Sequence, residues 1–394
     1  MMDSTLTSQF LLNPDITFLN FGSFGACPKP IFDDYQKWQR ELEFEPVQFI
    51  AVNGVKYLKE SREALASYIN CPSDDLVFVT NPSYGLNIVL KSLDLKPGDE
   101  ILSTNIEYGA SDRALNYYCK QKNARYVRQT IELPLSSKEK FIDDFFKGLR
   151  KNTKAIHISQ ITSSTALILP VKEICDIAKE KGLLTIVDGA HVPGHIPLNL
   201  ATLRADIYIG ACHKWMMSPK GCSFLYVKKE FQKKIDPLVV SWGYESASPS
   251  YSQFIDYHQM QGTRDFSAFL TVPRTIQFLK ENHWEEVAKQ CRDLVKANAL
   301  RFCELLGTTP LCPLNDEFLG QMFSIPVNTR EPEKLQALLF NTYSIEIPVM
   351  RQDKEVYMRY SINAFNSQED LDRLYSELKE ILQTTDFIKV SGRH

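Results

Sequence analysis

The sequence predicts an α/β fold, with a large domain on a mainly parallel seven-stranded sheet and a smaller α+β domain at the C-terminal end. Two observations carry this. From Leu76 to Val227 short β-branched runs alternate with helical stretches, the pattern of a parallel sheet covered on both faces. After Pro273 the pattern changes to long helical stretches with sparser strands.

The predicted strands are "LVFVT", "EILST", "ARYVRQ", "KAIHIS", "LLTIVD", "ADIYIG" and "CSFLYV". Between several of them lie helices: "SYGLNIVLKSL", "GASDRALNYYCKQ", "KEKFIDDFFKGLR" and "PVKEICDIAKEKG". The last begins at Pro170 and stops at Lys-Gly, a sound start and end. The runs after "LLTIVD" lack intervening helices, so an antiparallel strand is expected near the end of the sheet. Beyond Pro273 come "TIQFLKENHWEEVAKQCRDLVKANALRFCELLG", the strands "QMFSIPV", "SIEIPVM" and "VYMRYSI", and a final helix "SQEDLDRLYSELKEILQT" with Ser367 as N-cap. The expected division is an N-terminal segment 1–25, too short to fold alone, a large domain 26–270 and a small domain 271–394.

Composition narrows the functional classes. With 45 Lys and Arg against 48 Asp and Glu in 394 residues, the net charge of −3 argues against a nucleic-acid or membrane-surface partner. Nine cysteines without a CxxC pair suit a reducing compartment. The opening "MMDSTLTSQFLLNPD" lacks the charged and apolar regions of a signal peptide, and no apolar run reaches the roughly 20 residues of a membrane helix, so a cytoplasmic protein is expected.

Ligands of parallel sheets gather at the carboxyl ends of the strands. After "LVFVT" comes "NPSYG", a small polar turn opening a helix, where Ser83 is either an N-cap or part of an anion site. After "EILST" comes "NIEYG", with Tyr108; after "KAIHIS" come Gln160, Thr162, Ser163 and Ser164. "LLTIVDGAH" runs straight into Asp188, with His191 three residues on; a carboxylate there needs a cation or strong donor. His191 and His195 have zinc-like spacing, but Pro193 and Gly194 between them break the helix such a site needs, so no metal is expected. "ADIYIGACHKW" then delivers Lys214 beside His213. An anion-binding turn, an aromatic plate, a carboxylate, a histidine and a desolvated lysine together match the needs of pyridoxal 5'-phosphate.

These residues carry a resemblance. "VDGAH", "HKW…PKG" and "QGTRDFSAFLTVP" resemble the class V aminotransferase family of fold-type-I pyridoxal-phosphate enzymes. "FLNFGSFGACPKP", "TNPSYGLN", "EYGA" and "MRYSINAFNSQED" are similar to its branch of isopenicillin N epimerases, cysteine lyases and desulfhydrases. The resemblance implies that Lys214 is the imine-forming lysine and Asp188 the partner of the pyridine nitrogen. It implies Tyr108 stacked on the ring, His191 and Gln160 near the phenolic oxygen, and Pro82, Ser83 and His213 at the phosphate. It puts Thr263 at the phosphate of a neighbouring subunit, hence a homodimer with shared sites. Arg359 would grip the carboxylate of an amino-acid substrate, with Gly22, Ser23, Phe24 and Gly25 beside that substrate.

Two departures stand out. Persulfide-forming relatives carry a nucleophilic cysteine shortly before the Arg359 position; "SIEIPVMRQDKEVYMRYS" has none, and Cys312 lies well upstream. A cysteine desulfurase is therefore not expected. Ala211 stands where many relatives have a phosphate-binding serine, and Cys212 reads as a small core residue. The expected reaction is chemistry at Cα or Cβ of an amino acid, by epimerisation or C–S cleavage; the alternatives are a transaminase and a non-catalytic scaffold.

Overall fold

In the computed structural model, which describes residues 4–390, the chain opens on a short helix, Ser4–Thr7, and a short strand, β1 (Thr17–Phe18), followed by helices Lys29–Phe44 and Gly54–Ile69. The first three residues of the expected 1–25 segment and the last four of the 271–394 stretch lie outside the described residues. Neither early helix stood out in the sequence; in Lys29–Phe44 only Ile31 and Leu42 are buried, too thin an apolar stripe to announce itself.

The main sheet follows: β2 (Leu76–Val79), β3 (Glu100–Thr104), β4 (Arg125–Gln129), β5 (Thr153–Ser159), β6 (Leu184–Gly189), β7 (Ile207–Ala211) and β8 (Ser223–Val227). Their order is β2-β8-β7-β6-β5-β3-β4. β8 runs antiparallel to both of its neighbours, second from one edge, while the β7-β6-β5-β3-β4 block is parallel. Alternate side chains feed two cores: Leu76 and Phe78 go to one face, Val77 and Val79 to the other. Helices Pro82–Ser92 and Gly109–Gln121 cover the second face through Leu86, Val89, Leu115 and Cys119. Helix Val171–Glu180 covers the first with Ile174, Cys175 and Ala178. Each large apolar side chain so enclosed contributes about 1.5–3 kcal/mol of burial.

The C-terminal part departs from the sequence pattern in two places. The single helical stretch is two helices, Val272–Glu281 and Trp284–Leu306, broken where His283 takes a left-handed φ of 47°. After β9 (Met322–Pro326), the run "SIEIPVM" divides around Pro348 into β10 (Ile345–Glu346) and β11 (Val349–Gln352), because proline has no N–H to continue a ladder. β11, β12 (Glu355–Ser361) and β9 form a three-stranded antiparallel sheet. The final helix, Gln368–Thr384, starts after Ser367, whose N–H donates to the Asp370 carboxylate at 2.9 Å.

β10 pairs in parallel with β1, and the Ser361 N–H donates to the Leu19 carbonyl at 2.8 Å. The N-terminal strand is thus stitched to the C-terminal sheet. That pairing delivers the next residues, Phe21 to Gly25, to the carboxyl edge of the main sheet.

Candidate active site

Asp188, at the end of β6, and Lys214, three residues past β7, line one cavity of about 310 Å³. Ser23, Phe24, Pro82, Ser83, Tyr108, His191 and His213 border it as well. They come from separate strand ends and from the N-terminal segment, brought together because parallel strands put all their carboxyl ends on one edge. A larger cavity of about 640 Å³, around His195, His283 and Trp284, takes its lysines and carboxylates, Lys280, Lys289, Glu285 and Glu286, from helical segments and not from strand ends.

Lys214 Nζ lies 3.2 Å from His191 Nε2, and the Trp215 indole N–H donates to His191 Nδ1 at 3.2 Å. Trp215 in turn stacks on His195, ring centroids 4.0 Å apart. Burial, with the charge of Arg359 adding to it, brings the Lys214 ammonium down to about 8, against the pull of Asp188. Burial and then Lys214 push His191 well below its ordinary value. His213 falls to about 4 through burial, and its Nδ1–H donates to the Cys222 carbonyl at 3.0 Å.

Asp188 Oδ1 accepts from the Ala190 N–H at 2.9 Å; Oδ2 has only the Ser111 hydroxyl, at 3.5 Å. One carboxylate oxygen is therefore weakly engaged at the cavity floor. Beneath it lie Glu107 and His157, both fully buried. Sequence reasoning missed these two, together with Ser111 and Asn81. The signal was present in β5, where His157 and Ser159 occupy alternate positions in the buried second half of the strand and so share a face.

Arg359, 1% exposed on β12, donates from Nη1 to the Ser163 carbonyl at 2.6 Å and from Nη2 to the Ser23 hydroxyl at 3.2 Å. Its Nε has no partner among the described residues. Burial lowers its guanidinium to about 10, so it remains a cation at neutral pH. Gly22 and Gly25 fit the segment around these groups. A Cβ on Gly22 would meet Met322 Sδ at 2.6 Å and Arg359 Nη2 at 3.2 Å. Gly25 has φ +66°, and a Cβ there would meet the His213 carbonyl oxygen at 2.4 Å.

Ser83, Gln160 and Thr263 have these surroundings. Asn81, not Ser83, caps the helix after β2, its Oδ1 accepting from the Tyr84 N–H at 2.8 Å. Pro82 has no N–H to offer, which leaves the backbone N–H and hydroxyl of Ser83 as donors in that turn. Gln160 is turned toward Tyr208, whose hydroxyl donates to its Oε1 at 2.8 Å, and does not border the Lys214 cavity. Thr263 lines a separate cavity with Arg62 and Trp242. His191 and His195 do not face one ligand: His195 Nδ1–H donates to the His191 carbonyl at 2.9 Å and its Nε2 accepts from the Gln321 N–H at 2.5 Å.

A lysine amine near neutrality, a carboxylate with one weakly engaged oxygen, an aromatic side chain and a helix start in one cavity define an enzyme site for a carbonyl-bearing, phosphorylated cofactor. Comparison with known proteins agrees. The family model described as Aminotransferase class-V matches residues 46–374. An isopenicillin N epimerase of Amycolatopsis lactamdurans is 31% identical over 392 residues, 95% of this chain and 97% of that one. An L-cysteine desulfhydrase of Arabidopsis thaliana is 26% identical over 423 residues, 97% of this chain and 92% of that one. Among solved structures, the apo cysteine desulfurase of Thermococcus onnurineus NA1 superposes with a TM-score of 0.83 at 20% identity, covering 97% of this chain and 98% of that one, a likeness of fold. The chain belongs to the class V aminotransferase family. Its cofactor is pyridoxal 5'-phosphate, and its chemistry is at Cα or Cβ of an amino-acid substrate. No described helix is long and apolar enough to cross a membrane.

Proposed function

We propose that the protein removes the α-proton of an amino acid held by Arg359, with Lys214 as the base, and then either returns the proton to the opposite face or expels a sulfur group from Cβ. The observation that carries this is the Lys214 amine, buried 3.2 Å from His191 and lowered to about 8, where an amine serves as a general base at neutral pH. Pyridoxal phosphate, when bound, supplies the aldehyde for the amine and an electron sink for the charge left at Cα. The residues assigned to hold it are Lys214 at the aldehyde, Asp188 at the ring nitrogen and Tyr108 over the ring. His191 and, through the amide nitrogen that the Tyr208 contact leaves unused, Gln160 are assigned to the phenolic oxygen; Ser83 and His213 are assigned to the phosphate, with Pro82 setting the backbone of that turn. Arg359 offers two N–H groups in a planar fork for the substrate carboxylate, beside Gly22, Ser23, Phe24 and Gly25.

The leaving group at Cβ decides between inversion and elimination. None of the nine cysteines borders the Lys214 cavity, and burial raises Cys312 to about 12, which favours these reactions over persulfide transfer to a protein thiol. We further propose a homodimer in which Thr263 reaches the partner's phosphate site. Trp242, 85% exposed, and Tyr251, 66% exposed, flank the Thr263 cavity and give that face the aromatic character of an interface.

The decisive experiment incubates the loaded enzyme with L-cysteine, its S-conjugates and amino acids lacking a β leaving group, assaying sulfide, pyruvate, ammonia and optical rotation. Sulfide with pyruvate indicates elimination; loss of rotation without product indicates inversion. Accumulation of pyridoxamine phosphate from an amino donor alone would replace this reading with a transaminase. Light scattering of the purified chain and of Trp242→Arg tests the dimer.

A further inference from the structure

We propose that Glu107 is a positioning residue for the reaction centre: a second carboxyl beneath Asp188, braced by Ser159 and facing His157, whose charge state the Asp188 carboxylate and the ring nitrogen above it sense. This rests on the assignment of Asp188 to that nitrogen. Glu107 follows β3 and is wholly buried. Its Oε1 accepts from the Thr104 hydroxyl at 2.9 Å; its Oε2 accepts from the Ser159 N–H at 3.0 Å and the Ser159 hydroxyl at 2.5 Å. Three donors from two residues are more than a space-filling side chain needs, and no cation is among them. The titratable groups facing Glu107 are His157 from β5, Asp188 from β6 and Tyr126 from β4.

His157 links the layer to the cavity. Its Nδ1 lies 3.8 Å from Glu107 Oε2 and 3.3 Å from the Ser103 hydroxyl. Its Nε2 has no partner among the described residues, although the ring borders the cavity that Asp188 floors. Ser159 pairs in register with Asp188, so the residue that grips Glu107 is the cross-strand neighbour of the proposed nitrogen partner. Burial first, then repulsion from Asp188, raises the Glu107 carboxyl to about 7, while its hydrogen bonds pull the other way. A negative charge appearing there strengthens the hold of Asp188 on a ring proton; a neutral carboxyl leaves Asp188 as the lone anion of the floor.

The test follows the ring nitrogen of 15N-labelled pyridoxal phosphate by NMR against pH, in wild type and Glu107→Gln, with thermal unfolding to show that both are folded. Wild type should show a step centred near pH 7, and Glu107→Gln should lose the step while still taking up the cofactor. Superimposable profiles overturn the proposal. Ser159→Ala removes a donor that favours the ionised carboxyl, so it should move the step to higher pH; an unmoved step again overturns it. In the apoprotein the His157 imidazole resonances should follow the same step and lose it in Glu107→Gln. If no cofactor binds but this His157 step is present, the cofactor assignment fails and the pairing stands. A His157 titration indifferent to Glu107→Gln sinks the pairing itself.

Discussion

Trp215 and Lys214, adjacent in sequence, grip the two nitrogens of the same imidazole: the indole N–H donates to His191 Nδ1, and Lys214 Nζ lies 3.2 Å from Nε2. Because Nδ1 accepts, the single proton of the neutral ring sits on Nε2. Nε2–H then donates, and the lysine must be the acceptor, which only an uncharged amine can be. A tryptophan thus selects the protonation state of the lysine beside it.

The rate of cofactor uptake by the apoprotein should therefore rise with pH, roughly tenfold per unit below the lysine's transition, and level off above it. The transition is expected at about 8, read by stopped-flow absorbance. Trp215→Phe frees Nδ1 to carry the proton, lets Nε2 accept from an ammonium and raises the transition by roughly half to one unit. Lys214→Ala should give no absorbance band that borohydride bleaches.

Arg359→Ala should weaken substrate binding by on the order of 10- to 100-fold, as loss of a charge-assisted hydrogen bond does, with much less effect on cofactor retention. Arg359→Lys should not restore it, since an ammonium cannot reproduce the fork. Equal loss of substrate and cofactor, measured by spectral titration, would contradict the assignment.

Gly25→Ala forces a side chain into a left-handed backbone and within 2.4–2.6 Å of the His213 and Lys214 carbonyl oxygens. A strain of about 1–3 kcal/mol should lower the melting temperature and the fraction of protein that takes up cofactor. Gly22→Ala presses instead on Met322 and the Arg359 guanidinium, so its larger effect should be on the KM for substrate.

Five of the seven histidines are buried with lowered pKa values: His157, His213 and His258 at about 4, His195 at about 3, and His191 well below 6.5. Between pH 6.5 and 4 the unfolded chain binds protons at these rings that the native state refuses, so stability should fall as pH falls through that window. The four rings at about 3 to 4 each contribute on the order of 1–3 kcal/mol by the bottom of it, and His191 adds in the same direction. Glu107, raised to about 7, and the raised carboxyls of Asp34, Asp75 and Asp112 act with the opposite sign but are four groups against five. Calorimetric melting of the apoprotein across this range checks the sign; a melting temperature that rises toward pH 4 would refute it.

Much of the fold was legible because its signals are local. Seven apolar runs of the right length became seven strands, and the ends of β6 and β7 announced Asp188 and Lys214 by setting charge at the tip of a buried run. What could not be read depended on partners distant in sequence. Once Pro348 divides "SIEIPVM", only the fold decides that Ile345 pairs with Thr17, some three hundred residues earlier, while Val349 pairs with Met358. Gln160 reads as a loop donor in the sequence, and only the fold shows that Tyr208 across the sheet holds its amide oxygen and so orients the amide.

The sequence by itself determined the α/β layering and the chemical types at the strand ends, because hydrophobic period and charge at the tip of a buried run are properties of neighbouring residues. Only the tertiary structure decided that His191 presents Nε2–H to Lys214, that Arg359 is steered by Ser23 and Ser163, and that Glu107 lies beneath Asp188. Those relations are set by distance and by the loss of water around buried groups, and both exist only once the chain has closed on itself.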